Sequence, residues 1–301
     1  MRVGTSLTSS YRTDDVRKGA RDMVERAAAA REAGLDSLFV GDHHATPQPY
    51  YQNVPIMGRM LAEWGDAPSG CLFLLPLWNP VLLAEQVGTL ASIAQGPFII
   101  QCSLGDDERQ FAAMGASRKT RPSAFEESLD AIRRLLAGET VSSDGRFRFR
   151  DARVNPLPPE PVDIWIGSVG EPAMDRTARM AEGWLAAPAL TPPAAQQALA
   201  YYQERCTVHG REPKAVAVRR DIFVAGSEDE AERIQEATKG YRGFDPDALV
   251  CGTIETVAGK FRDLGEMGFT DVIVRHMVPE QELVLQSMAR LKEVRAMVQD
   301  V

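Results

Sequence analysis

The chain has 301 residues, 44% hydrophobic and 25% charged, enough apolar material for a sizeable core. A net charge of −8 and a pI near 5.2 argue against a nucleic-acid partner, which needs a basic face. No apolar run approaches the roughly 18 residues of a membrane span, and the opening MRVGTSLTSS has no apolar leader core, so the cytoplasm is the expected location. Cys71, Cys102, Cys206 and Cys251 lie far apart and form no CxxC pair, which suits free buried thiols better than disulfides or a zinc site.

The predicted elements alternate. VGTSL (3–7) reads as a strand, and a helical pattern runs from Asp14 to a stop at Gly34. LFV (38–40) is the second strand, leading into Gly41, Asp42, His43 and His44. A helix entered at Pro55 runs to Trp64, and CLFLL (71–75) is the continuous apolar run of a strand buried on both faces. Asn79 and Pro80 form a cap and first position for the helix that Gly96 stops; FIIQC (98–102) follows. Ser123 and Glu126 predict a capping box opening the next helix. Asp144-Gly145 between VSS and RFRFR predicts a hairpin outside the main repeat. VDIWIG, WLAAP, AVAVRRDIFVAG and DVIVRH supply the remaining strands, each followed by a helix, while ALVCG (248–252) is an added element. The alternation predicts a single α/β domain over 1–301, a (β/α)8 TIM barrel with a hairpin insertion near 140–150 and an extra piece near 247–253. A doubly wound sheet is the rival, but the first turn, GTSLTSS, lacks GxGxxG.

In such a barrel the chemistry collects just after each strand. There the sequence places Thr5 to Leu7, Asp42 to His44, Pro76 to Asn79, Ser103 to Asp106, Gly167 to Gly170, Pro188, and Arg275 to His276. The turn Gly167-Ser168-Val169-Gly170 precedes a helix whose first amides lack intrahelical partners, an arrangement that cradles a phosphate; a plain tight turn is the alternative. Adjacent His43 and His44 should diverge, so one of them faces the site. No metal set is evident, and GxSxG, HExxH and P-loop patterns are absent. A phosphate cradle with one imidazole suits a bound cofactor that brings its own reactivity.

GLDSLFVGDHH, LPLWNPVLLAEQVGTLASI, the stretch FAAMGASRKTRPSAFEESLDAIRRLLAGETVSSDGRF, PVDIWIGSVGEPAMDRTARMAEGWL and GTIETVAGKFRDLGEMGFTDVIVRH together resemble the bacterial luciferase-like family, single (β/α)8 barrels that use FMN or the deazaflavin F420. The resemblance implies a flavin- or F420-dependent oxidoreductase, a monooxygenase or a hydride-transfer reductase, acting on a small organic substrate. It places the family's imidazole on His43 with Asp42 before it, a proton-handling acid at Asp106, and cofactor contacts at Leu7, Leu72, Phe73, Ser103, Gly105, Gly167, Ser168, Val169 and Gly170. It implies a non-proline cis peptide near Leu72-Phe73, and a homodimer by analogy. The chain departs from the family at Pro97, where an Arg is usual, and at Gln101 and Ser103, which replace two glycines. Those departures motivate an alternative, a non-catalytic flavin-binding or subunit protein of this fold. A third reading is a metal-dependent hydrolase using Asp42, His43 and His276. Trp78, Tyr50, Phe73 and Trp184 are candidates to line an apolar substrate pocket.

Overall fold

Apolar runs bounded by turn residues become strands, and the amphipathic stretches between them become helices, in a computed structural model that describes residues 1–299. In chain order these are β1 (Arg2–Leu7), α1 (Val16–Glu32), β2 (Leu38–Val40), α2 (Asn53–Trp64), β3 (Ser69–Leu74), α3 (Pro80–Ile93), β4 (Phe98–Ser103), α4 (Glu108–Ala113), α5 (Arg121–Leu136), β5 (Val141–Ser143) and β6 (Phe149–Ala152). Then come β7 (Asp163–Gly167), α6 (Glu171–Met180), β8 (Gly183–Ala186), α7 (Pro192–Val208), β9 (Ala215–Val224), α8 (Glu228–Ala237), β10 (Val250–Gly252), α9 (Ile254–Met267), β11 (Asp271–His276) and α10 (Gln281–Val298). The hydrogen-bonded order is β10-β9-β11-β1-β2-β3-β4-β7-β8, and β8 pairs again with β9. That is the strand order of a (β/α)8 barrel, with β10 added beside β9 where ALVCG was expected as an extra piece.

The chain, expected as one domain over 1–301, divides by its contacts into two compact units. One holds residues 1–8, 21–39 and the chain from 165 onward; the other holds 9–20 and 40–164. In the first, β11 lies in parallel register between β1 and β9, and β8 pairs with the start of β9. Arg275 clasps the fully buried Asp221 carboxylate through Nε and Nη2 at 2.8 and 2.6 Å, so that charge is matched where water cannot reach it. His276 is buried with Nε2 3.0 Å from the Ser287 hydroxyl, whose oxygen also accepts the Val224 N–H. Gly183 exists because Trp165 covers it; a Cβ there would meet the indole at 2.6 Å.

In the second unit, β3 and β4 run in unbroken register from Ser69↔Phe98 to Leu74↔Ser103. Asn79 caps α3 as expected, its side-chain oxygen accepting from the Val81 and Leu82 amides at 2.9 and 3.3 Å. The hairpin is present, with β5 and β6 antiparallel, and Val141 packs on Ala84 and Leu135.

Three expectations are corrected. The capping box does not form: α5 starts at Arg121 after Thr120, and Ser123, already inside the helix, donates its hydroxyl back to the Thr120 carbonyl at 3.0 Å. Pro122 accounts for the earlier start, because its fixed φ and missing N–H suit a first turn. The Leu72-Phe73 peptide is trans; the cis bond among the described residues is Asn155-Pro156. The ladder to β4 continues through Leu72↔Gln101 and Phe73↔Cys102, a regularity that trans backbone sustains. Finally β3 ends at Leu74, and Leu75 opens a 3-10 turn through Leu77 that carries Pro76 in its first turn.

Burial, with Arg26 adding to it, pushes the His276 imidazole down to about 3. Its folded pKa lies below the unfolded value, so the unfolded chain takes up the proton first. The stability from burying the neutral ring is complete above about pH 6.5 and is lost as pH falls toward 3, by up to about 1.4 kcal/mol per pH unit. Chemical denaturation from pH 7 to 4 should therefore show a shallower loss of stability for His276→Gln than for the wild type; equal slopes would contradict this account.

Candidate functional site

The turn after β2 is built around one carboxylate. The Asp42 side chain is fully buried, and its Oδ2 accepts two hydrogen bonds, from the Leu74 N–H and the Trp78 Nε1–H, each 2.8 Å. The 3-10 turn after β3 makes this possible by folding Trp78 back beside the strand end. Asp42 Oδ1 faces His44 Nε2 at 3.2 Å without the alignment of a hydrogen bond, and neither atom has another partner. The His44 ring packs 5.6 Å from Trp78, which meets Phe73 edge-on at 5.2 Å. The His44 N–H donates to Gln110 Oε1 on α4 at 2.8 Å.

The two imidazoles diverge, as their adjacency requires. His44 is buried, whereas His43 is half-buried, with its ring 5.8 Å from Tyr50 and its carbonyl accepting from Gln52 Nε2 at 3.2 Å. Ala45, next in the chain, has a φ of 51°, an uncommon value for a residue with a Cβ. Gln110 and Gln52 went unnoticed in the sequence, since a lone glutamine carries no local signal.

At the ends of β3 and β4, Phe73 is buried and Leu72 half-buried, its carbonyl accepting from Asn53 Nδ2 at 2.7 Å. Gln101 is buried with Nε2 unpartnered, Ser103 is half-buried, and Gly105 takes a φ of 69° that favours glycine. Asp106 is exposed and ion-paired: its Oδ1 accepts from Arg118 Nε and Nη2 at 3.1 and 2.5 Å and from Arg121 Nη1 at 2.9 Å. The Arg118 hydrogen bonds, with both guanidinium charges, hold its carboxyl below the usual range. Asp106 is thus a carboxylate at neutral pH, suited to orienting or accepting, not to donating a proton. Asp107 is the residue that caps α4, accepting the Arg109 N–H at 2.9 Å. Arg118 and Arg121 were visible in the run RKTR, but nothing local tied them to Asp106.

The first unit holds the glycine turn and Leu7, the buried last residue of β1. β7 ends at Gly167, and Gly170, with φ 79°, is the cap of α6, followed by Glu171 and Pro172. A Cβ on Gly170 would touch nothing within 4 Å, so glycine serves the backbone angle there and leaves the turn open. Ser168 is buried; its hydroxyl oxygen accepts from Thr177 Oγ1 at 2.8 Å and its carbonyl from Trp184 Nε1 at 3.3 Å, while Val169 is exposed. The first-turn amides of α6 lack intrahelical partners, so this turn can receive an anion. Trp184, a candidate for the substrate wall, is core: it is fully buried against Tyr202 with ring centroids 4.9 Å apart. Among the described residues no three His, Cys, Asp or Glu side chains gather to hold a metal.

Comparisons with known proteins bear on what these elements do. A profile described as luciferase-like monooxygenase matches residues 1–266. An F420-dependent glucose-6-phosphate dehydrogenase of Kribbella flavida is 28% identical over 191 residues, 60% of this chain and 57% of that protein. The chain therefore spans little more than half the length of the curated relatives it matches. An F420-dependent secondary alcohol dehydrogenase, solved with an F420-acetone adduct, matches with a TM-score of 0.81 at 18% identity over 99% of both chains. The oxygenating constituent of 3,6-diketocamphane monooxygenase from Pseudomonas putida, solved with FMN, matches with a TM-score of 0.81 at 17% identity over 97% of both. At these identities the likeness establishes the barrel fold.

Removing the buried carboxylate should expose its dependence on partners. Asp42→Ala leaves the Leu74 and Trp78 N–H groups without acceptors and should cost about 2–4 kcal/mol of stability. Asp42→Asn keeps an acceptor oxygen and should cost less. Urea denaturation checks this, and an Asp42→Ala variant as stable as wild type would refute it.

Proposed function

Because the chain belongs to the luciferase-like monooxygenase family, we propose that it is an oxidoreductase working through F420 or FMN on a small organic molecule. The observation that carries this reading is the turn after β2, where a fully buried, doubly bonded Asp42 fixes the backbone from which a half-buried His43 projects. The F420-dependent names of the relatives support one cofactor, and the FMN-bound neighbour supports the other.

The residues present fit such a group. The open turn at Gly167, Ser168, Val169 and Gly170 suits a phosphate, because its positive-φ glycine leaves space and α6 begins there. A bound flavin or deazaflavin ring would supply the redox centre itself. His43 would hold or move a proton at its ring nitrogen. Asp42, shut off from solvent, acts through the turn it anchors rather than by touching the cofactor. Leu7, Leu72, Phe73, Ser103 and Gly105 remain the proposed walls of the cofactor site, and Asp106, held ionised by Arg118 and Arg121, would orient or accept. The same reading takes the protein as a cytoplasmic homodimer, which the mass of the purified protein in solution tests.

Titrating the purified protein with F420 and with FMN, followed by absorbance, should show micromolar binding of one of them. His43→Ala should retain that binding and lower kcat by at least about 100-fold, the usual scale of a general acid or base. If neither cofactor binds at micromolar concentration and His43→Ala changes no activity, the reading fails. Cofactor binding with no turnover would instead favour a binding protein of the same fold, the reading motivated by the Gln101 and Ser103 side chains in β4.

A further inference from the structure

A cleft of about 510 Å3 opens in the first unit between α8, the segment from Lys239 to Leu249, β10 and α9. That volume is in the range of small-molecule sites, roughly 300–1,000 Å3. None of the residues proposed for the cofactor lines it.

Its floor is core. Cys251 and Met277 are buried with Phe223, Ile234 and Val284, and Leu249 packs on them. The Cys251 thiol lies 3.7 Å from the Ala231 carbonyl, and burial pushes it up to about 11, so it offers a protonated, apolar surface and no nucleophile. Gln235 holds one wall by donating from Nε2 to the Cys251 carbonyl at 3.2 Å.

The rim is charged unevenly. Lys239 is ion-paired with Glu236. The Lys260 ammonium has one polar partner among the described residues, the Leu249 carbonyl at 3.4 Å, which leaves donors to spare. Its charge reaches the floor, where it works against burial on the Cys251 thiol. Glu232 on the same rim disfavours a second negative charge.

The outer wall is held in uncommon backbone. Gly240, Arg242 and Gly243 have φ of 69°, 53° and 69°, and for the arginine this conformation costs on the order of 1–3 kcal/mol unless its surroundings enforce it. Phe244 enforces it: the Arg242 guanidinium lies 5.7 Å over its ring and Tyr241 meets it edge-on at 6.3 Å. The same phenyl ring lines the cleft, so the wall is a braced surface.

From a spare ammonium beside a buried apolar floor, we infer that this cleft is a second ligand site for a small apolar monocarboxylate. The carboxylate pairs with Lys260, and the hydrocarbon body lies on Leu249, Cys251 and Met277.

Octanoate is a suitable probe, titrated calorimetrically into the full chain beside octylamine and octan-1-ol. Saturable one-to-one octanoate binding is expected, at least about 10-fold tighter than octylamine, as one charge-assisted contact implies. Lys260→Met, an exposed change that leaves the fold intact, should weaken octanoate about 10-fold, and Leu249→Trp should abolish binding by filling the cleft. Neither variant should alter F420 or FMN binding, which keeps this test separate from that of the cofactor. Octanoate that does not saturate below about 10 mM, octylamine that binds as well, or unchanged affinity in Lys260→Met would overturn the inference.

Discussion

Asp42 is a carboxylate taken out of water, a transfer that costs several kcal/mol unless each lone pair finds a donor. In the second unit the end of β3 and the indole of Trp78 meet that demand on Oδ2, and the His44 ring stands against Oδ1. Because these donors come from a strand end, a 3-10 turn and the neighbouring loop, satisfying one charge brings three segments to one place. His43 inherits its position from this arrangement without taking part in it. The pairing also explains why Trp78, which the sequence offered as a substrate contact, spends its only polar atom on structure.

Charge is handled differently elsewhere. Asp221 is buried and clasped by Arg275 in a two-point contact, whereas Asp106 is exposed and shared between two arginines. The first arrangement is costly to break, because it would strand a charge among apolar neighbours. The second is solvated and contributes little to stability, but it sets the protonation state of a residue at the end of β4. Burial and pairing, more than residue type, separate the structural acids of this chain from those left to do chemistry.

The alternation of apolar runs with amphipathic stretches was legible residue by residue, and so were the Asn79-Pro80 start of α3, the hairpin around Asp144-Gly145 and the glycine turn before α6. Each depends on neighbours within one or two turns of chain. Ser123 and Glu126 mislead for an instructive reason: two adequate starting signals compete, and a proline at the second position of the helix wins over a hydroxyl cap. The regular Leu72-Phe73 peptide shows the limit of carrying a backbone feature over from a resemblance, since the ladder to β4 decides it locally.

What the sequence determined by itself was the order and type of elements, because hydrophobic periodicity, caps and turns act over short stretches. The tertiary structure decided which titratable groups are buried and with whom. Asp42 meets partners 32 and 36 residues away, Asp106 meets arginines 12 and 15 residues on, and His44 is held by a glutamine 66 residues distant. Desolvation and Coulomb interactions depend on distance in space, and spacing along the chain does not encode it. The acid and imidazole string after β2 was visible at once, but its division into one buried carboxylate, one packed ring and one available ring belongs to the fold.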